Sequence, residues 1–200
     1  MERDEKTFWN KKYSEGSHSS LEPDPLLASA YGEFLAGSPP GNALDVAGGV
    51  GRHSLWLAQR GWKVKLIDVS EAGVALAQEN ARRVLLPQAE ELATQGPFVE
   101  TEVLDLNSVR DLGSQKYDLL LVFFYLQRGL FPALVSALKP GGLLIYKTYT
   151  IDQQRFSGGP SHPMFLLKPN ELLQAFSSLR ILHYHESVQG KGVAELVAKK

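Results

Sequence analysis

The chain has 200 residues, 44% of them hydrophobic, which is enough for one domain with a sizeable core and too few for two. Its 21 Lys and Arg residues nearly balance 22 Asp and Glu residues, and the net charge of -1 argues against a nucleic-acid substrate. The absence of cysteine excludes disulfides, thiolate metal sites and any mechanism with a cysteine nucleophile.

The sequence contains no signal for membrane insertion or export. No apolar run approaches the roughly 20 residues that cross a bilayer, and the polar N-terminal segment lacks the hydrophobic core of a signal peptide. We therefore expect a cytoplasmic protein, a monomer or homodimer, that acts on a small molecule and binds neither membrane nor nucleic acid.

Strand and helix patterns alternate in the first half of the chain. A polar region from Met1 to about Leu27 precedes a short amphipathic helix that ends near Leu35. The elements predicted next are a strand at Ala43–Val46, a glycine loop at Ala47–Gly51, a helix at Arg52–Arg60, a strand at Val64–Ile67, a long helix that begins at Ser70 and ends or kinks at Pro87, and a strand at Phe98–Leu104.

The second half continues the alternation and ends in a hairpin. The predicted elements are a strand at Tyr117–Phe123, a helix at Phe131–Leu138 stopped by Lys139-Pro140-Gly141-Gly142, a strand at Leu143–Thr148, a helix from Pro169, and strands at Arg180–Glu186 and Val193–Ala198. This pattern predicts a doubly wound, seven-stranded, mostly parallel α/β sheet whose last strand is antiparallel. We expect a single domain, with residues 1–41 as an N-terminal cap and 42–200 as the core.

The segment Leu44-Asp-Val-Ala-Gly-Gly-Val-Gly carries the strongest functional signal. A strand that leads into glycines and then a helix lets a ligand lie against bare backbone. A phosphate-binding loop would use the same N–H groups, but Asp45, just before the loop, suits a ligand with an ammonium group better. The dinucleotide pattern G-x-G-x-x-G also fails, because its third glycine position is Ser54.

With these residues the chain resembles the class I S-adenosylmethionine-dependent methyltransferases. The likeness covers about Asn42 to Lys199 and includes acids at the ends of three successive strands, the Lys139-Pro-Gly-Gly segment and the closing hairpin. Within this class it is similar to small bacterial enzymes of the tellurite-resistance type, through Trp9 and Tyr13, Gly51-Arg-His-Ser-Leu-Trp-Leu-Ala and Asp68-Val-Ser. The resemblance implies S-adenosylmethionine as cofactor and direct in-line methyl transfer to a small molecule or an oxyanion.

Several residues are candidates for cofactor binding. Asp68, after the second strand, is placed to accept from the ribose hydroxyls, and Asp105, after the third, from the adenine amino group or else serves as a turn residue. His53 either contacts the cofactor carboxylate or is structural. Ala47 stands where the family usually has glycine, which we expect to be a mild change. The full set is Trp9, Tyr13, Asp45, Ala47, Gly48, Gly49, Gly51, His53, Asp68, Val69, Asp105, Leu106 and Phe123.

Candidate residues for the reaction itself lie in the second half. Tyr125 and His162, with Tyr149 as a further possibility, are candidate bases, and Arg128 is a candidate for holding an anionic substrate. The five histidines show no metal-ligand spacing, so no metal is expected. Two alternatives remain open: a methyltransferase-like protein with a regulatory or partner role, and an NAD-binding Rossmann protein.

Overall fold

The computed structural model describes residues 4–92 and 99–200. Within these residues the strands are β1 (Asn42–Val46), β2 (Lys63–Asp68), β3 (Val99–Val103), β4 (Tyr117–Phe123), β5 (Leu138–Tyr149), β6 (Arg180–Ser187) and β7 (Val193–Lys199). They form one seven-stranded sheet in the order β3-β2-β1-β4-β5-β7-β6. Strand β7 is antiparallel to both β5 and β6, whereas β1 with β2, β2 with β3 and β4 with β5 are parallel. The predicted fold class is confirmed.

The described helices alternate with these strands. They are α1 (Glu5–Ser14), α2 (Pro25–Phe34), α3 (Arg52–Ala58), α4 (Glu71–Leu92), α5 (Phe131–Ala137) and α6 (Glu171–Ala175), with short 3-10 helices at Arg128–Leu130, Ile151–Arg155 and Pro163–Phe165. Among the described residues, none of these helices has the length and apolar character needed to cross a membrane.

The chain divides into two compact units, residues 1–106 and 107–200. In the first unit, residues 43–46 of β1 and residues 66–68 of the neighbouring β2 are all buried. Burial of consecutive residues, rather than alternate ones, is typical of parallel strands covered on both faces. The expectation of a single domain with residues 1–41 as its cap stays a prediction.

Two helix boundaries in the first unit differ from the prediction. Helix α2 begins at Pro25, slightly before Leu27, because the Asp24 side chain accepts from the main-chain N–H of Leu26 and caps the helix. Helix α4 continues past Pro87 to Leu92, so of the two predicted outcomes at this proline, an end or a kink, the end is wrong. A proline removes one main-chain hydrogen bond, and α4 continues despite that loss. Phe98, the expected first residue of the third strand, lies outside the described residues.

The second unit is built on β4, whose residues Leu119 to Phe123 are all buried, as its apolar sequence predicts. The segment Lys139–Gly142 is not a turn outside the sheet, because β5 already begins at Leu138. Tyr117 pairs with Leu138, but Leu119 pairs with Leu143, so this segment forms a bulge in β5. Gly141 supplies the left-handed residue of the bulge, with φ of 82°.

Candidate functional site

The glycine loop after β1 turns one side toward the core and the other toward α1. A Cβ on Gly48 would lie 2.7 Å from Cγ of Leu66, so this position has no room for a side chain. A Cβ on Gly49 would collide with the hydroxyl of Tyr13 instead. Gly51 ends the loop with φ of 82° and precedes α3. The backbone of Gly49 is therefore covered by Tyr13, and the ligand-binding role of the loop stays a prediction.

Asp68, at the end of β2, fixes the glycine loop in place. Its Oδ2 accepts from the main-chain N–H of Gly49 and its Oδ1 from that of Ser70, both at 2.8 Å. Burial raises the pKa of Asp68 above its ordinary value, and the N–H groups of Ser70 and Gly49 oppose that rise. The side chain is thus in the position predicted for the ribose acceptor, and it also joins β2 to the loop.

Asp45, the last residue but one of β1, is buried beside the same loop. The Ser54 hydroxyl in α3 donates to Asp45 Oδ2 at 2.7 Å. Burial raises the pKa of Asp45 to about 6, against the opposing effects of the Ser54 hydrogen bond and the charge of Arg52, and with a further contribution from the charge of Asp68. A carboxyl group with this pKa is largely ionised at neutral pH and gains from a nearby ammonium group.

Ala47 adopts the left-handed conformation, with φ of 56°. An alanine in this region is disfavoured by about 1–2 kcal/mol, because its Cβ approaches the following carbonyl. The change from the family's glycine is therefore less mild than expected: the loop keeps the glycine conformation with an alanine in it.

The aromatic residues of the N-terminal segment lie on one face of α1, as their spacing predicts. The Trp9 and Tyr13 rings stack with their centroids 5.7 Å apart. Tyr13 is largely buried, and burial, followed by the charge of Asp68, raises the pKa of its hydroxyl. Since the hydroxyl lies against Gly49, Tyr13 covers the exposed side of the glycine loop.

The remaining predicted cofactor contacts in the first unit occupy different environments. His53 and Leu106 are both buried, each 3% exposed, and both alternatives for His53 stay open. Val69 is half-buried, and Asp105 lies on the surface just after β3. These assignments stay predictions, as do those of the glycine loop and the two buried acids.

In the second unit, the chain after β4 takes a sharp turn. Phe123 is buried at the end of the strand, whereas Phe124 is half-buried with φ of 57°, a rare conformation for an aromatic residue. The Phe124 ring lies 5.1 Å from that of Tyr149. The Tyr125 carbonyl accepts from the buried hydroxyl of Tyr146 at 3.0 Å. Strained residues concentrate at functional sites, and sequence reasoning had no signal for the one at Phe124.

Arg128 is held by its own unit. Its guanidinium forms a two-point ion pair with Glu171, with Nε to Oε1 at 2.5 Å and Nη2 to Oε2 at 2.9 Å. Its two Nη atoms also donate to the carbonyls of Met164 and Leu166. This geometry favours a structural role, tying the 3-10 helix at Pro163–Phe165 to α6, over the predicted contact with an anionic substrate.

The other candidate bases lie at the surface or under a loop. His162 is exposed, and its Nδ1 accepts from the main-chain N–H of Met164 at 3.3 Å. The other ring nitrogen, Nε2, is therefore the atom that would act as the base. Burial raises the pKa of Tyr149, an effect that the charge of Lys147 opposes. Among the described residues, no group of three or more His, Cys, Asp or Glu is placed to hold a metal ion.

The first unit fits S-adenosylmethionine on its own geometry. Asp45 suits an ammonium group, Asp68 suits ribose hydroxyls, and Gly49 between them carries no side chain. Sequence reasoning missed the side chains that support these acids: Ser54, which bonds to Asp45, and Asn10, which bonds to Ser70. The only available signal was the polar identity of these residues next to the predicted site.

Residues 43–142, half of the chain, match the family described as methyltransferase domain, and the chain belongs to this family. It is 28% identical over 171 residues to Hemagglutinin 1 of Eikenella corrodens, a match that covers 80% of this chain and 51% of that protein. The chain therefore spans about half the length of this relative.

Two solved structures show the same fold. TehB from Haemophilus influenzae gives a TM-score of 0.68 at 19% identity, covering 96% of this chain and 67% of that one. Magnesium protoporphyrin IX methyltransferase from Synechocystis PCC 6803, with bound S-adenosylhomocysteine, gives 0.68 at 20% identity, covering 98% of this chain and 100% of that one. The predicted family is confirmed, and it supports the predicted cofactor, S-adenosylmethionine.

Proposed function

We propose that this chain is an S-adenosylmethionine-dependent methyltransferase whose acceptor is a small molecule or an oxyanion. The observation that carries the proposal is the pair of buried carboxylates, Asp45 and Asp68, that flank the glycine loop. Burial of two acids lowers stability, and it raises the pKa of both. Groups with such shifted pKa values are concentrated at functional sites. An ammonium group and the hydroxyls of a ribose are the ligand groups that would bind to these two carboxylates.

The chain's own residues supply binding, orientation and the exclusion of water. When bound, S-adenosylmethionine supplies a sulfonium methyl group, which an acceptor's lone pair takes as the carbon–sulfur bond breaks and its electrons stay on sulfur. Asp45 would hold the cofactor's ammonium group and Asp68 its ribose, while Tyr13, with Trp9 stacked on it, covers the loop. A neutral acceptor loses a proton, for which Tyr125, Tyr149 and His162 are the candidate bases.

The charge balance supports a small acceptor over nucleic acid. A net charge of -1 gives no overall attraction to a phosphate backbone, and an oxyanion acceptor needs no base.

Calorimetry with S-adenosylmethionine, S-adenosylhomocysteine and NAD tests the cofactor. We expect the first two to bind and NAD not to bind, because Ser54 occupies the position of the third dinucleotide glycine. Binding of NAD alone would overturn the proposal.

Turnover is tested with methyl-labelled cofactor. The acceptors are tellurite, selenite and pools of small thiols, phenols and amines, with mass spectrometry of the solution and of the headspace. Label in a small product supports the proposal. Cofactor binding without turnover of any acceptor would favour the regulatory alternative.

A further inference from the structure

The side chain of Asn10 in α1 caps the distant helix α4. Its Oδ1 accepts from the Ser70 hydroxyl at 2.7 Å and from the main-chain N–H of Ala72 at 3.1 Å. A capping side chain normally belongs to the residue just before the helix, and Ser70 also fills that role by accepting from Gly73 N–H at 3.0 Å. In the first turn of α4, the main-chain N–H of Ala72 is thus capped by Asn10 and that of Gly73 by Ser70.

Ser70 also connects this cap to the acid at the end of β2. Its main-chain N–H donates to Oδ1 of Asp68, and Oδ2 of Asp68 accepts from Gly49 N–H. A continuous run of hydrogen bonds therefore leads from Asn10 through Ser70 and Asp68 to the glycine loop.

Tyr13 of α1 packs against the same glycine loop. Its ring lies between two glycines: the hydroxyl faces Gly49, and a Cβ on Gly73 would lie 2.9 Å from Cε2 of the ring. Tyr13 and Asn10 are in the same helix, three positions apart. Helix α1 therefore contacts, through Asn10 and Tyr13, both residues whose main-chain N–H groups bond to Asp68, namely Ser70 and Gly49.

We propose that Asn10 is a positioning residue that couples α1, the helix that covers the glycine loop, to the Asp68 carboxylate. The packing of α1 on the loop and the orientation of Asp68 as ribose acceptor then depend on each other. The inference rests on the proposed function, because it assigns Asp68 to the cofactor. Lys6 offers a matched control, since its ion pair with Glu71, at 2.7 Å, also joins α1 to α4 but has no bond to Ser70.

The test compares Asn10→Ala, Asn10→Asp and Lys6→Ala by calorimetry with S-adenosylhomocysteine. Asn10→Ala should weaken binding about tenfold, the size expected for one well-placed hydrogen-bonding partner. Asn10→Asp keeps an acceptor oxygen at a helix N-terminus and should bind like the native chain. Lys6→Ala removes an exposed ion pair and should change affinity by less than about twofold.

A double-mutant cycle with Asp68→Ala separates coupling from a merely structural role. If Asn10 acts through Asp68, Asn10→Ala should cost little further affinity once Asp68 is absent. An equal loss in both backgrounds, native affinity of Asn10→Ala, or failure of Asn10→Asp to restore binding would each overturn the coupling. If the native chain itself does not bind S-adenosylhomocysteine, the proposed function falls and the coupling falls with it.

Discussion

The hydroxyl of Ser54 donates a hydrogen bond to Oδ2 of Asp45 at 2.7 Å, and both side chains are buried. The hydrogen bond stabilises the ionised carboxylate, while burial disfavours it more strongly and raises the pKa of Asp45 to about 6. Asp45, whose charge we expect to attract the cofactor's ammonium group, is therefore protonated by a small drop in pH below neutrality.

Cofactor affinity should fall as the pH drops through about 6, because protonation of Asp45 removes its charge. Calorimetry with S-adenosylhomocysteine between pH 5 and 8 measures this affinity. We expect it to fall by roughly a few-fold to tenfold over this range. Ser54→Ala should move the midpoint to higher pH, since it removes a hydrogen bond that favours the ionised form. A midpoint unchanged by this substitution would mean that Asp45 is not the titrating group.

The same pKa gives stability the opposite pH dependence. The folded pKa lies above the ordinary pKa of 3.8, so the contribution of Asp45 to stability is full below about pH 4 and is lost as the pH rises through about 6. Relative to Asp45→Asn, the native chain should lose on the order of 1–3 kcal/mol of unfolding free energy over this range. Urea unfolding of both proteins at several pH values gives the difference, and a flat difference would contradict the assignment.

Replacing Ala47 with glycine should stabilise the fold. Relief of the left-handed strain gains about 1–2 kcal/mol, and the greater freedom of an unfolded glycine takes back about 0.5–1 kcal/mol. We expect a net gain of roughly 0.5–1 kcal/mol in unfolding free energy. Ala43→Gly, in the buried extended part of β1, is the control and should destabilise. Destabilisation by Ala47→Gly would show that the Cβ makes contacts worth more than the strain.

Arg128→Ala should lower stability by about 1–3 kcal/mol, a moderate loss because the ion pair with Glu171 is only partly buried. Since Arg128 also bonds to the Met164 and Leu166 carbonyls, the substitution should expose the chain near Phe165 to chymotrypsin. Glu171→Ala should have a similar effect, and the double variant should be no worse than either alone. Arg155→Ala removes an exposed pair with Asp152 and serves as the control. If Arg128→Ala leaves stability unchanged but raises KM for an anionic acceptor, the substrate role predicted from sequence is correct.

The N-terminal segment, residues 1–27, should act as a lid over the cofactor. Because α2 begins at Pro25, a deletion that ends at Ser20 removes α1 and leaves α2 whole. We expect a folded protein with much weaker binding of S-adenosylhomocysteine, measured by calorimetry. In the intact chain the ligand should slow tryptic cleavage at Lys11 and Lys12. Unchanged affinity after deletion, with cleavage indifferent to ligand, would make α1 a tail.

The sequence predicted the sheet well because its strands carry local signals. Apolar runs such as Leu119–Phe123 and the turn after Ser187 indicate buried strands and a hairpin whatever surrounds them. Bounds that depend on tertiary contacts were missed: β5 begins at Leu138 because it pairs with Tyr117 across a bulge, and no local pattern encodes that pairing.

The candidate site was predictable where the residue type itself carries the chemistry. Asp45, Asp68 and the glycines could be chosen as candidates because an acid in or at the end of a strand, beside a glycine loop, suits the ammonium and hydroxyl groups of a ligand; their roles stay predictions. Asn10 was not found, since its partner Ser70 lies 60 residues away and an asparagine in a polar helix has many possible roles. Arg128 was given a substrate role because its partner Glu171 lies 43 residues away and the sequence alone does not pair them.

Gly73 lies in the first turn of α4, where glycine weakens a helix by about 1 kcal/mol relative to alanine. The Tyr13 ring occupies the space that a side chain at this position would need. In descendants of a common ancestor, positions 13 and 73 should therefore change together. A chain with a larger residue at 73 should carry a smaller one at 13, and a chain that has lost α1 should replace this glycine with a better helix former.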